Sequence, residues 1–263
     1  MDDPIATAQA ASPAEVRKTA RSLRLGVLLT LVGGGLDAYT YVSRNGVFAN
    51  SQSGNVVLLG VESAQSHWSQ AANHVPPIIA FVLGVATAES LVRPRVAALL
   101  RRPARAALVL EIAMLLVVGF IPRGAPDSFV TVLVAFTAAV QVSTFRILQD
   151  SPYSTTMTTG NLRTLASSTY RAVFDHDAEA AHRARYFAAI VVSFVLGAVG
   201  GAVLTRAEGP HAVWAGAVLL ALGLALFVHD QRIDARKPRP DASAAGSGPA
   251  TGSGPAESDD STD

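Results

Sequence analysis

Two carboxylic acids and two short polar phrases stand out as candidates for chemistry in a chain dominated by apolar runs. Asp37 lies inside the run Leu25–Val42, and Glu111 lies seven residues into the run Ala104–Ile121. An ionisable group at the centre of a membrane helix costs ~2.5–3.5 kcal/mol on insertion scales, so it faces a partner or a wet pathway. Either acid is suited to couple or tune the passage of a proton or cation, and Asp37 also to hold a substrate amine. The plainer reading makes Asp37 an interfacial packing group and Glu111 a neutral acid bonded to a neighbouring helix. The polar phrases are Phe48-Ala-Asn-Ser-Gln-Ser-Gly-Asn55 and Tyr153-Ser-Thr-Thr-Met-Thr-Thr-Gly-Asn161. A shift of 106 residues lays Ser53 on Thr159, Gly54 on Gly160 and Asn55 on Asn161. A duplicated polar, glycine-bearing interruption among apolar spans points to a transporter's binding site. The competing reading is that Asn55 and Asn161 cap the helices that follow and stitch two halves together. Gln141, with Ser143 and Thr144, is suited to complete a polar lining or to bond between helices.

These residues need elements to hold them. The chain has 263 residues, 50% of them apolar and only 16% charged, with a mean hydropathy of +0.34. Its charges crowd the ends and a few connectors, the pattern of a polytopic helical membrane protein. Six runs of spanning length are predicted: Leu25–Val42, Val75–Val92, Ala104–Ile121, Phe129–Leu148, Tyr186–Leu204 and Ala212–Val228. Each Gly-Asn phrase is expected to dip between helices without crossing, with an apolar-leaning helix starting after it. Irregular backbone at membrane depth must be buried in protein or line a wet cavity. Gly54 and Gly160 are expected to permit tight backbone geometry or close helix approach.

Basic residues set the orientation. With six spans and an inside N-terminus, 18 of the 21 Lys and Arg residues fall inside, and only Arg44, Arg123 and Arg206 fall outside. Eight spans would put the arginines of 93–105 outside, against the positive-inside rule. Three spans per half is an odd number, so the second half is inverted relative to the first. The predicted fold is therefore an all-α membrane protein of six transmembrane helices in two inverted three-helix repeats, each with a broken Gly-Asn segment. Residues 1–22 form a polar tail with a juxtamembrane helix, 23–126 the first repeat, 127–230 the second, and 231–263 a disordered tail poor in large apolar residues.

Gly35-Leu-Asp-Ala-Tyr-Thr-Tyr41, then Val47-Phe48-Ala49, then Ser53-Gly54-Asn55-Val56-Val57, resembles the YoaK family of bacterial inner-membrane proteins. Gln141, Arg146, Thr155-Thr156 and Thr159-Gly160-Asn161 resemble the same family in the second half, so the likeness covers roughly residues 22–230. Ser53 stands where the family's first copy usually has Thr, and Val142 where it often has Asn. The resemblance implies a membrane location and a span number but no substrate.

Other chemistries lack their signatures. There is no cysteine, hence no disulfide or thiolate site. His176, Glu179 and His182 are spaced unlike a strong zinc motif and read as an acidic helix start. No phosphate loop, nucleophile elbow or basic aromatic stripe is found. The expectation is a non-enzymatic, multi-pass protein of the bacterial plasma membrane with both termini cytoplasmic. It needs no cofactor or metal, and its partners are the lipid bilayer and a small solute, not nucleic acid; a homo-oligomer is compatible. Its role is that of a small-solute secondary transporter or channel-like permease, with Asp37, Ser53, Gly54, Asn55, Gln141, Thr159, Gly160 and Asn161 at the binding site and Asp37 and Glu111 in coupling. The alternative is a membrane scaffold or accessory subunit.

Overall fold

A computed structural model describes residues 22–44, 46–96, 103–122 and 124–236. The predicted juxtamembrane helix lies outside these residues, as does the predicted C-terminal tail apart from residues 231–236, which are helical. Nine α-helices are found among the described residues: α1 Leu23–Ser43, α2 Gln52–Ala64, α3 Trp68–Asn73, α4 Val75–Leu91, α5 Pro103–Phe120, α6 Asp127–Thr144, α7 Thr158–Phe174, α8 Ala178–Glu208 and α9 Val213–Arg236. Between α6 and α7 sits a minimal antiparallel hairpin, β1 Ile147–Leu148 with β2 Ser151–Pro152.

Five stretches are long and apolar enough to cross a membrane: Leu23–Ser43, Trp68–Leu91, Pro103–Phe120, Asp127–Thr144 and Ala178–His229. The last doubles back. Gly209 takes φ +61°, a left-handed conformation that glycine adopts freely, and a 3-10 turn over Gly209–Ala212 follows. α8 runs alongside α1 in the same direction, with Ile190 by Gly26, Phe194 by Gly34 and Gly201 by Gly35. α9 runs against α1, with Pro210 by Tyr39, Gly216 by Leu36 and Gly223 by Leu25. The two helices of the stretch are therefore antiparallel.

Close helix approach is achieved by removing side chains. A Cβ on Gly34 would strike the Phe194 carbonyl, and one on Gly197 the Leu31 carbonyl. Small residues at such crossings let backbones meet, which is how helices associate where lipid removes the hydrophobic drive between them. α4 meets α6 in a similar way, Gly84 lying against the Phe136 carbonyl. α5 packs on α6 and α9, and the Trp214 indole donates to the Leu116 carbonyl at 3.2 Å. The main core gathers Leu25, Leu29, Leu36, Leu108, Leu115, Val134, Leu220 and Phe227. A second cluster of Leu148, Tyr153, Phe187 and Ile190 locks the hairpin to α8. Outward rows such as Val192, Val195, Leu196, Val199 and Val203 stay exposed, a face suited to acyl chains rather than water.

Helix limits differ from expectation most at three places, one of them the end of α9, which continues to Arg236 rather than stopping at Val228. The fourth run stops at Thr144 rather than Leu148, because Ile147-Leu148 pairs with Ser151-Pro152 and Gln149 takes φ +52°. The fifth helix begins at Ala178, well before Tyr186. Asp177 caps it by accepting the Ala180 amide at 3.0 Å and Glu179 occupies its first turn, so the acidic helix start read from the sequence is present.

Candidate functional site

The first Gly-Asn segment is tied to α1 by side chains of both. The Asn50 amide donates to Asp37 Oδ1 at 3.0 Å, the Ala49 amide donates to Thr40 Oγ1 at 3.2 Å, and Asn50 Nδ2 donates to the Gly33 carbonyl at 2.9 Å. Asp37, Thr40 and Asn50 are all buried. The second segment is held by α6 and α1. Thr155 Oγ1 donates to Gln141 Oε1 at 3.4 Å, and the Thr155 carbonyl lies where a Gly33 side chain would be.

Each asparagine closes its own loop. Asn55 Nδ2 donates to the Phe48 carbonyl at 2.6 Å, and Asn161 Nδ2 donates to the Ser154 carbonyl at 2.7 Å. Both bonds reach back seven residues. Asn161 Oδ1 also accepts the Ser154 amide at 3.1 Å. The helices begin at Gln52 and Thr158, so Gly54-Asn55 and Gly160-Asn161 lie inside the first turn rather than ahead of it. That differs from the expected helix start after each phrase. The reason is local: a helix launched at Gln52 or Thr158 places the asparagine where it can satisfy a carbonyl of the incoming loop. α7 is also rich in Thr, Ser and Arg rather than apolar-leaning. Gly54 and Gly160 have no left-handed backbone, and a side chain on Gly160 would meet nothing, so tight geometry is not what the second glycine provides.

The two segments wall one cavity of about 470 Å³. Asp37 and Ser51 with Ser53 line it from the first half, and Thr156, Thr158 and Thr159 from the second. Tyr41, Phe48 and Phe194 supply an aromatic flank, Tyr41 and Phe48 being stacked at 4.9 Å between ring centroids. Of the residues predicted for binding, Asp37, Ser53 and Thr159 meet here. Gly160 and Asn161 border a second recess of about 500 Å³ with Arg163 and Tyr153. Gln141 stands behind Thr155 and does not line the cavity. Glu111 is fully buried in α5, outside this lining, and neither of its carboxyl oxygens has a hydrogen-bond partner among the described residues.

Sequence reasoning missed the aromatic flank. Tyr41 is four residues past Asp37 and so shares its helix face, a signal present in the spacing. Phe194 comes from α8, and no local pattern links it to Asp37. The chemistry available is that of a polar, partly aromatic chamber with one carboxyl group and several hydroxyls, fed by the starts of two helices.

Residues 25–226 match the family described as "Protein of unknown function (DUF1275)". The UPF0700 transmembrane protein YoaK of Bacillus subtilis (strain 168) is 29% identical over 141 residues, which cover 52% of this chain and 63% of that relative. The chain thus matches less than two thirds of the relative's length. No solved structure matches.

Proposed function

The chain belongs to the DUF1275 family, and from that premise we propose that it is a small-solute secondary transporter or channel-like permease of the bacterial plasma membrane, with its site between the two Gly-Asn segments. The observation that carries this reading is a cavity walled by both segments with Asp37 in its lining. A site at the junction of two repeats is where alternating access is simplest, since rocking one half against the other opens it to each side in turn.

Two inverted three-helix repeats, α1-α4-α5 and α6-α8-α9, complete the proposal. Helix contacts support it by exchanging into one another: α1 packs on α8 as α6 does on α4, α5 packs on α6 as α9 does on α1, and α5 and α9 pack together. α1 and α6 run oppositely. Arg44 at the end of α1 pairs with Asp127 at the start of α6 at 3.2 Å, and Leu148 beyond α6 reaches Gly26 near the start of α1. The matching asparagine bonds of the two loops add to this. The distribution of Lys and Arg supports cytoplasmic termini.

The chain has no native cysteine, so Thr159→Cys gives a lone thiol in the cavity. A membrane-impermeant maleimide is expected to label it from both faces of sealed vesicles, since an alternating site visits both. Labelling from one face alone or from neither contradicts transport and favours a membrane scaffold or accessory subunit.

A further inference from the structure

We propose that the solute taken by this site is a small zwitterion of the amino-acid type with an uncharged, largely apolar side chain; the inference rests on the transport reading above. It starts from the imbalance between the two helix starts that face the cavity. A helix N-terminus carries partial positive charge on amides that lack intrahelical acceptors. At α2 this charge has a neighbour, because Asp37 accepts the Asn50 amide two residues before the helix begins. At α7 no carboxylate does the same: the amides before the helix, those of Thr156 and Met157, are accepted only by the neutral Ser154 hydroxyl, Met157 provides no side-chain cap, and the first turn contains no acidic residue.

A second observation points into the same place. Thr156 is only 3% exposed and lines the cavity, yet its Oγ1 has no hydrogen-bond partner among the described residues. The buried Oγ1 of Thr158, also on the lining, lacks one as well. Buried hydroxyls are normally satisfied, so two unpaired ones beside a helix start with no carboxylate near it describe a place for an external polar group. Donor hydroxyls and amides together fit a carboxylate.

Asp37 contributes the opposite sign to the lining, and neither Lys nor Arg lines the cavity. A lone anion would face the Asp37 carboxylate without a counter-cation. A lone cation would leave the α7 start and the Thr156 hydroxyl unmatched. A molecule with both charges answers both, its ammonium group at Asp37 and its carboxylate at α7. Tyr41, Phe48 and Phe194 then take the remaining apolar part. A volume of about 470 Å³ lies within the range of small-molecule sites.

The full chain, purified in nanodiscs, is titrated calorimetrically with glycine, alanine, valine, leucine and phenylalanine. For each, the amine lacking the carboxyl group and the acid lacking the amino group are titrated in parallel. At least one amino acid is expected to bind tenfold or more tightly than both of its analogues. Asp37→Asn keeps an acceptor for the Asn50 amide; it is expected to weaken the amino acid at least tenfold and leave or improve binding of the acid. Thr156→Val is expected to weaken the amino acid and the acid but not the amine. A merely structural role would weaken all three alike. The proposal is overturned if no amino acid of the panel binds, if an analogue binds as tightly as its parent, or if either folded variant weakens all three equally. Labelling of Thr159→Cys from both faces without such binding would discard the substrate class and keep the transport reading; absence of two-sided labelling would remove the transport reading itself.

Discussion

Asn55 and Asn161 show how one residue type serves both halves of the molecule. Each spans seven residues to a loop carbonyl, at 2.6 Å and 2.7 Å, and each is buried. Removing such a partner strands a buried acceptor, at a cost of about 1–3 kcal/mol. Asn161→Ala is therefore expected to lower stability by that amount in detergent unfolding. Gly160→Ala, one position away, meets open space in a helical conformation and is expected to be neutral or to stabilise by up to ~1 kcal/mol. Equal losses for the two variants would contradict this division of roles. The sequence made the repeated Gly-Asn visible, and Asp37 and Tyr41 share a face by spacing. It did not reveal that the asparagines turn inward on their own loops, because an amide that clamps a carbonyl and one that meets a ligand are the same letter.

At the scale of elements, the crossing of α1 and α8 depends on glycines meeting carbonyls. Gly34→Val would drive a branched side chain into the Phe194 carbonyl, so a loss of at least about 3 kcal/mol is expected, at the upper end of overpacking penalties. Retention of a monodisperse, fully folded species by this variant would argue against the crossing. The start of α8 responds to pH instead. The Ala180 amide and then the Arg171 guanidinium, at 2.7 Å, hold the Asp177 carboxyl below its ordinary range. A depressed folded-state value means that the cap is fully effective above the unfolded-state value and is lost as pH falls through the folded one. Hydrogen exchange at Ala180 is expected to show unchanged protection between about pH 7 and pH 5, after correction for intrinsic rates, and to weaken only at stronger acidity. Loss of protection already within that window would contradict it. Helix existence was readable from apolar runs of spanning length. Three ends were not: the hairpin after Thr144 is set by tertiary packing of Leu148 and Tyr153 on α8, and the charged opening of α8 and charged close of α9 are not apolar enough to be counted with the spans they extend.

At the scale of the whole molecule, residues of both Gly-Asn segments line one chamber. An inverted arrangement was expected from an odd number of spans and the placement of arginines, and the antiparallel course of α1 and α6 is consistent with it. The convergence of Phe194 on a site begun by Asp37 could not be read from the chain, since only folding brings α8 against α1. Glu111, read from the sequence as a coupling candidate, is buried in α5 outside the chamber lining, because sequence position within a run gives depth but not the facing direction in a bundle. The most direct measurement is cross-linking of Ser53→Cys with Thr159→Cys in native membranes, where no other thiol exists on the chain. A short-arm bis-maleimide is expected to join the two cysteines within one polypeptide. Efficient labelling of each single cysteine with no intramolecular link in the double variant would contradict a chamber walled by both Gly-Asn segments.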